Sequence, residues 1–180
     1  MTDTVHDATP RTAVRPPDAR QLRDALGNFA TGVIVLTYRS EGRHHGVTVN
    51  SFTSVSMDPA LVLVSIQRTS RALPYLLRLP FAVNVLGEDQ LATAMRFAGR
   101  PQDAHHVPWI QDTPDSAPRI SGSPAYFQCT PWADYDGGDH VLILGLVHSF
   151  GHTDDSGPLL FHRGRWGSLA GESDGRGNPA

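Results

Sequence analysis

The sequence predicts a mainly β protein, a split antiparallel barrel with a few short helices. Two observations carry that expectation. Apolar runs rich in β-branched residues, each bounded by turn chemistry, recur at residues 33–38, 46–55, 60–66, 81–86, 125–132 and 140–150, with a shorter one at 157–161. Helical spacing is confined to three short stretches, whereas a doubly wound parallel sheet needs a crossover helix after nearly every strand. An antiparallel set that closes or splits into a barrel answers the same strand order.

The first helix opens at Asp18, which follows Pro16 and Pro17 and precedes Gln21 by three residues, a variant of the capping box. Leu22, Ala25, Leu26 and Phe29 then share one face at helical spacing, and Gly27 weakens the last turn. Further helical stretches are expected at 73–79 and 89–97. The segment 99–123 has four prolines and no period. Loops longer than about 12–15 residues are uncommon in compact domains. This one reads either as a lid or as a surface excursion packed by Val107, Trp109 and Ile110.

The 180 residues suit one domain, expected over 18–170, with polar tails at 1–17 and 171–180. A hydrophobic share of 39% and a charged share of 18% describe a globular chain with no apolar stretch of bilayer length. The net charge of −3 gives no strong attraction to nucleic acid or to an anionic membrane. All 15 basic residues are arginines, which excludes a lysine Schiff base, a P-loop lysine and a Ser-Lys dyad. A single cysteine, Cys129, excludes an intrachain disulfide and a Cys-x-x-Cys pair. The amino-terminal residues lack the apolar core of a secretion signal, so a cytoplasmic location is expected.

The most informative stretch is Gly46-Val47-Thr48-Val49-Asn50-Ser51-Phe52-Thr53-Ser54-Val55-Ser56. Small hydroxyl and amide groups among valines suit a surface that hydrogen-bonds a flat heteroaromatic ligand, and they equally suit an ordinary strand. In Arg68-Thr69-Ser70-Arg71, hydroxyls flanked by arginines ahead of a helical stretch make a candidate phosphate seat, provided Pro74 falls in the first turn. Plain capping explains the same residues. The stretch Asp134-Tyr135-Asp136-Gly137-Gly138-Asp139-His140 reads as a hairpin turn between two strands and sets His140 at a strand mouth, where an imidazole meets a nucleotide or serves structure alone.

No metal site is expected. His44-His45 and His105-His106 are adjacent pairs with no carboxylate or cysteine at ligand spacing. The chain also lacks a G-x-S-x-G elbow and a G-x-G-x-x-G after a strand. If the protein is an enzyme, a bound cofactor carries the reactive atoms.

Taken in order, Phe29-Ala30-Thr31-Gly32-Val33, the 46–59 stretch ending in Met57-Asp58-Pro59, Phe81-Ala82-Val83-Asn84, Arg96-Phe97-Ala98-Gly99, Gly137-Gly138-Asp139-His140 and Pro158-Leu159-Leu160-Phe161-His162-Arg163-Gly164 resemble the small flavin reductase family. These are the NAD(P)H:flavin oxidoreductase components of two-component monooxygenases. The resemblance implies a homodimeric split β-barrel that reduces FMN or FAD with NADH or NADPH and hands the reduced flavin to a partner monooxygenase. It implies flavin contacts from Thr31, Gly32, Val33, Thr48, Val49, Asn50, Ser51, Phe52, Ser65, Ser70, Arg71 and Phe97, and nicotinamide contacts from Asp139, His140 and Trp166. Trp166 stands where the family often has a tyrosine, which keeps an aromatic face and drops the phenol. No catalytic side chain is implied, because hydride passes directly between nicotinamide and flavin. Two alternatives share these features: an FMN-dependent oxidase on a similar barrel, and a flavin-binding protein without catalysis.

Overall fold

The computed structural model describes residues 17–100 and 106–169. The expected tails lie outside the described residues apart from Pro17. Helix α1 (Ala19–Leu26) starts as its capping residue dictates: an Asp18 carboxylate oxygen accepts from the N–H groups of Arg20 and Gln21, each at 2.9 Å. No residue of α1 is buried.

The chain then runs through β1 (Thr31–Gly32), β2 (Ile34–Ser40), β3 (Arg43–Val49), β4 (Thr53–Met57) and β5 (Ala60–Gln67), a single helical turn α2 (Leu73–Leu76), and β6 (Phe81–Val85). A 3-10 turn (Glu88–Gln90) leads into α3 (Leu91–Phe97). After it come β7 (Trp109–Ile110), β8 (Arg119–Ile120), the long pair β9 (Ala125–Gly137) and β10 (His140–His152), and finally β11 (Leu160–His162) and β12 (Arg165–Gly167).

Seven strands form one antiparallel sheet in the order β3-β2-β6-β9-β10-β5-β4. Its two edge strands, β3 and β4, are consecutive in the chain and separated only by residues 50–52. Flat strands spaced at about 4.8 Å would put those edges about 29 Å apart, yet four residue steps reach at most about 14 Å. The sheet must therefore curl until its edges approach. This is the split barrel expected from the sequence, and the 50–52 segment crosses the split.

Strand β2 shows why its first residues are apolar on both faces. Ile34, Leu36 and Tyr38 enter the core inside the curled sheet with Val62, Val64 and Phe81. Val33, just before the strand, and Val35 within it face a second core with Leu86, Ala94, Val107 and Ile120. Both faces are covered, so alternation with polar residues is lost.

The structure corrects several element boundaries. The run 46–55 is two strands broken at 50–52, so side chains do not alternate regularly across it. The helix expected at 73–79 is α2 alone, with Pro74 in its first turn, where the missing N–H costs nothing. Within the proline-rich segment, β7 and β8 pair into a small ribbon, while residues 101–105 lie outside the described ones. Buried Asn84 explains why the ribbon docks: its Oδ1 accepts from the Ile120 N–H at 2.7 Å, and its Nδ2 donates to the Val35 carbonyl at 2.9 Å. Residues 106–123 thus read as a packed excursion.

Candidate active site

The crossing between β3 and β4 is where the predicted residues converge. Two adjoining clefts share Thr48, Val49 and Asn50 as a common wall. The first, 370 Å³, is completed by Val33, Ala98, Arg100, Phe161, Gly164 and Trp166. The second, 290 Å³, is completed by Val47, Ser51, Ser65, Ile66, Gln67, Ser70 and His140.

Each side chain is placed for a local reason. The Thr48 hydroxyl donates to the Ala94 carbonyl of α3 at 2.7 Å, which ties the end of β3 to the helix. The Ser51 hydroxyl is bonded to the backbone of Ser65, and Ser70 Oγ accepts from the Ala72 N–H at 3.3 Å. Asn50 is exposed, and its amide is tied to no described neighbour. Trp166 is held edge-on against Phe161 with ring centroids 5.0 Å apart, on the β11–β12 hairpin. That hairpin turns through Arg163 and Gly164, both at positive φ (48° and 75°), and Arg163 donates to the Asn28 side chain after α1.

At the far end of the second cleft, His140 begins β10 opposite Gln67 of β5. Its Nδ1 lies 2.7 Å from Asp139 Oδ1. That hydrogen bond holds the exposed Asp139 carboxyl below the usual carboxylate range. Asp136 is lowered too, first by the Gly138 N–H and then by Arg68.

Not every predicted residue lines these clefts. Phe52 stacks on Phe127 at 5.6 Å, and Phe97 packs edge-on against Trp109 at 5.8 Å and over Gly46. Thr31 and Gly32 form β1 beside Phe161 and Leu160, and Thr31 Oγ1 is a buried hydroxyl oxygen with no hydrogen-bond partner among the described residues. Arg71 is exposed beside Ser70. Asp139 reaches the site through His140. Of the three expected nicotinamide contacts, Trp166 lines the first cleft, His140 lines the second, and Asp139 lines neither.

Sequence reasoning passed over Arg100 and Gln67, since a position after a glycine and the last residue of a strand carry no motif. It also drew Arg68 toward an anion seat, whereas the structure turns Arg68 onto the β9–β10 turn, with Nη2 2.7 Å from Asp136 Oδ1.

The flavin reductase like domain matches residues 26–170. The chain belongs to the flavin reductase family. Two relatives and one solved structure show how far the likeness extends. The reductase subunit of a flavin-dependent monooxygenase from Rhodococcus jostii is 37% identical over 151 residues, covering 83% of this chain and 77% of that one. An FMN reductase (NADH) from Agrobacterium fabrum is 39% identical over 155 residues, 85% of this chain and 87% of that one. The NADH:FAD oxidoreductase of Streptomyces globisporus, solved in complex with NAD and FAD fragments, superposes with a TM-score of 0.82 at 36% identity, over 91% of this chain and 99% of that one.

For a member of the flavin reductase family the donor set is apt. The wall offers the Asn50 amide, the Thr48 hydroxyl oxygen as an acceptor and the face of Val49, and the first cleft adds Val33 and the Trp166 indole. These groups fit a neutral, hydrogen-bonding heteroaromatic ring system.

Proposed function

We propose that this chain is an NAD(P)H:flavin oxidoreductase that reduces FMN or FAD and supplies the reduced flavin to a partner monooxygenase. The observation that carries this reading is the shared wall Thr48, Val49 and Asn50 with a cleft on either side, in a chain of the flavin reductase family. The chemistry that the flavin supplies when bound is acceptance of a hydride from reduced nicotinamide.

The protein's part is placement. Asn50 offers an exposed amide to a ring edge, Val33 and Val49 offer apolar contact, and Trp166 offers a flat face. His140 stands at the opposite end with its Nδ1 engaged by Asp139. Holding two rings at near-attack distance supplies much of the acceleration for such a transfer, because entropy is lost before the barrier rather than at it. Ser70 and Arg71, after β5, are the proposed partners of the flavin phosphate.

The proposed assembly is a homodimer. Leu22, Leu26 and Phe29 stand 44%, 67% and 78% exposed at the carboxyl-terminal part of α1 and just after it, and both clefts open to solvent. A second copy would cover such a surface and wall the clefts. Light scattering at micromolar concentration checks this, and a monomer that stays active overturns it. The proposed location is the cytoplasm, where reduced nicotinamide is available. Among the described residues no helix is long and apolar enough to cross a membrane.

The activity is tested by adding FMN or FAD to purified protein with NADH or NADPH and following absorbance at the reduced-nicotinamide band. Consumption that depends on added flavin is expected. No loss with any of the four pairs overturns the reading.

A further inference from the structure

We propose that Arg68 is a positioning residue for the nicotinamide half-reaction, gripping the β9–β10 turn so that the Asp139–His140 pair is held at the second cleft. The inference rests on the reading that His140 meets the nicotinamide nucleotide. It is carried by three hydrogen bonds from one residue to one turn. The Arg68 backbone N–H donates to the Asp139 carbonyl at 2.9 Å. Its Nε donates to the Gly138 carbonyl at 2.7 Å, and its Nη2 donates to Asp136 Oδ1 at 2.7 Å. The same Asp136 oxygen accepts from the Gly138 N–H at 2.8 Å, so the guanidinium and the turn close one network.

The backbone of the turn passes through a residue with wide conformational freedom. The turn has two residues, Gly138 at φ +80° and Asp139, between paired Gly137 and His140. Glycine adopts that angle without steric cost and leaves it as readily. Arg68 directly follows Gln67, which pairs with His140, so the grip references the turn to β5 and to the wall of the second cleft. Asp139 Oδ1 then holds His140 Nδ1 at 2.7 Å and leaves Nε2 as the ring nitrogen for a ligand.

The pair Arg68–Asp136 is 48% and 80% exposed, and exposed ion pairs contribute little to stability. Orientation is the better use for such a fork. A planar guanidinium donates to a carbonyl and a carboxylate in a fixed geometry, and an ammonium does not reproduce it. A group misplaced by about 1 Å is enough to cost rate or affinity in hydride transfer.

The test compares wild type with Arg68→Met, Arg68→Lys, His140→Ala and the double variant Arg68→Met/His140→Ala as full chains. Each is read for KM for NADH, kcat, flavin affinity by fluorescence titration, and Tm. Arg68→Met is expected to raise KM for NADH by roughly fivefold or more, with flavin affinity and Tm near wild type. Arg68→Lys should fall between the two. In the His140→Ala background, Arg68→Met should add less than about twofold, because the residue through which it acts is gone. If His140→Ala raises KM and neither Arg68 variant does, the inference is overturned while the reading of His140 stands. Additive effects in the double variant overturn it as well. If His140→Ala leaves the nicotinamide kinetics unchanged, both fall together. Should Arg68→Met lower Tm, the milder Arg68→Lys decides, and a wild-type KM there overturns the inference.

Discussion

The Ser51 hydroxyl occupies the place of a missing strand beside Ser65: it donates to the Ser65 carbonyl at 2.8 Å and accepts from the Ser65 N–H at 3.1 Å. Strand β4 pairs with β5 only as far as Thr53 opposite Leu63, so two residues further on β5 has no backbone partner on that side. One side chain satisfies both groups and pins the crossing over the split in the barrel.

Ser51 and Asn50 should therefore behave differently although they are adjacent. Ser51→Ala is expected to lower stability by about 0.5–1.5 kcal/mol, because water reaches this half-buried edge in place of the hydroxyl. Asn50→Ala should leave Tm unchanged and weaken flavin binding. Thermal melts with a flavin titration on both variants check the contrast, and equal behaviour would remove Asn50 from the site.

Gly46→Ala tests the role of Phe97. A Cβ at Gly46 would stand 2.8 Å from the Phe97 ring, closer than real contacts allow. The variant should lose about 1–3 kcal/mol through overpacking. Replacing Phe97 with leucine should recover part of that loss in denaturant melts. If Phe97→Leu by itself leaves flavin affinity at the wild-type value, the ring supports the fold and does not contact the ligand.

Trp166→Ala and Trp166→Phe separate an aromatic face from a hydrogen-bonding indole. Ring stacking is worth about 0.5–1.5 kcal/mol, so the alanine variant should lose roughly two- to tenfold in affinity for its ligand. The phenylalanine variant should lose little. Separate titrations with flavin and NADH show which ligand the indole serves.

Cys129 is 2% exposed, and burial pushes its thiol up from 9.0 to about 12. The folded chain keeps the proton that the unfolded chain gives up. Its effect on stability is thus constant below about pH 9, and stability is lost as pH rises from there toward about 12. Cys129→Ala should flatten that part of the pH profile. Alkylation by iodoacetamide at pH 8 should be slow in the native protein and complete in denaturant.

The longer strands were legible in the sequence, because a β-branched run between turn residues has few other solutions. Strands β7, β8 and β12 carry no such run, and β9 extends to Gly137 through residues that read as a turn. Residues 33–38, 60–66 and 81–86 emerged close to β2, β5 and β6. The cap at Asp18 and the turn before His140 were local too, and local chemistry sufficed for them. Tertiary structure decided what depends on distance across the sheet. It broke the 46–55 run at residues 50–52, since curling brings the two sheet edges within reach of a three-residue crossing. It committed Thr48 to the Ala94 carbonyl and Ser51 to Ser65, and left Asn50 of the same motif exposed to the clefts. It also sent Arg68 to the hairpin rather than to an anion seat, because register sets Gln67 opposite His140 and the carbonyls of the turn come within reach of the guanidinium. A sequence motif names hydroxyls and arginines alike, and only the packed sheet decides which of them have partners within the chain and which remain for a ligand.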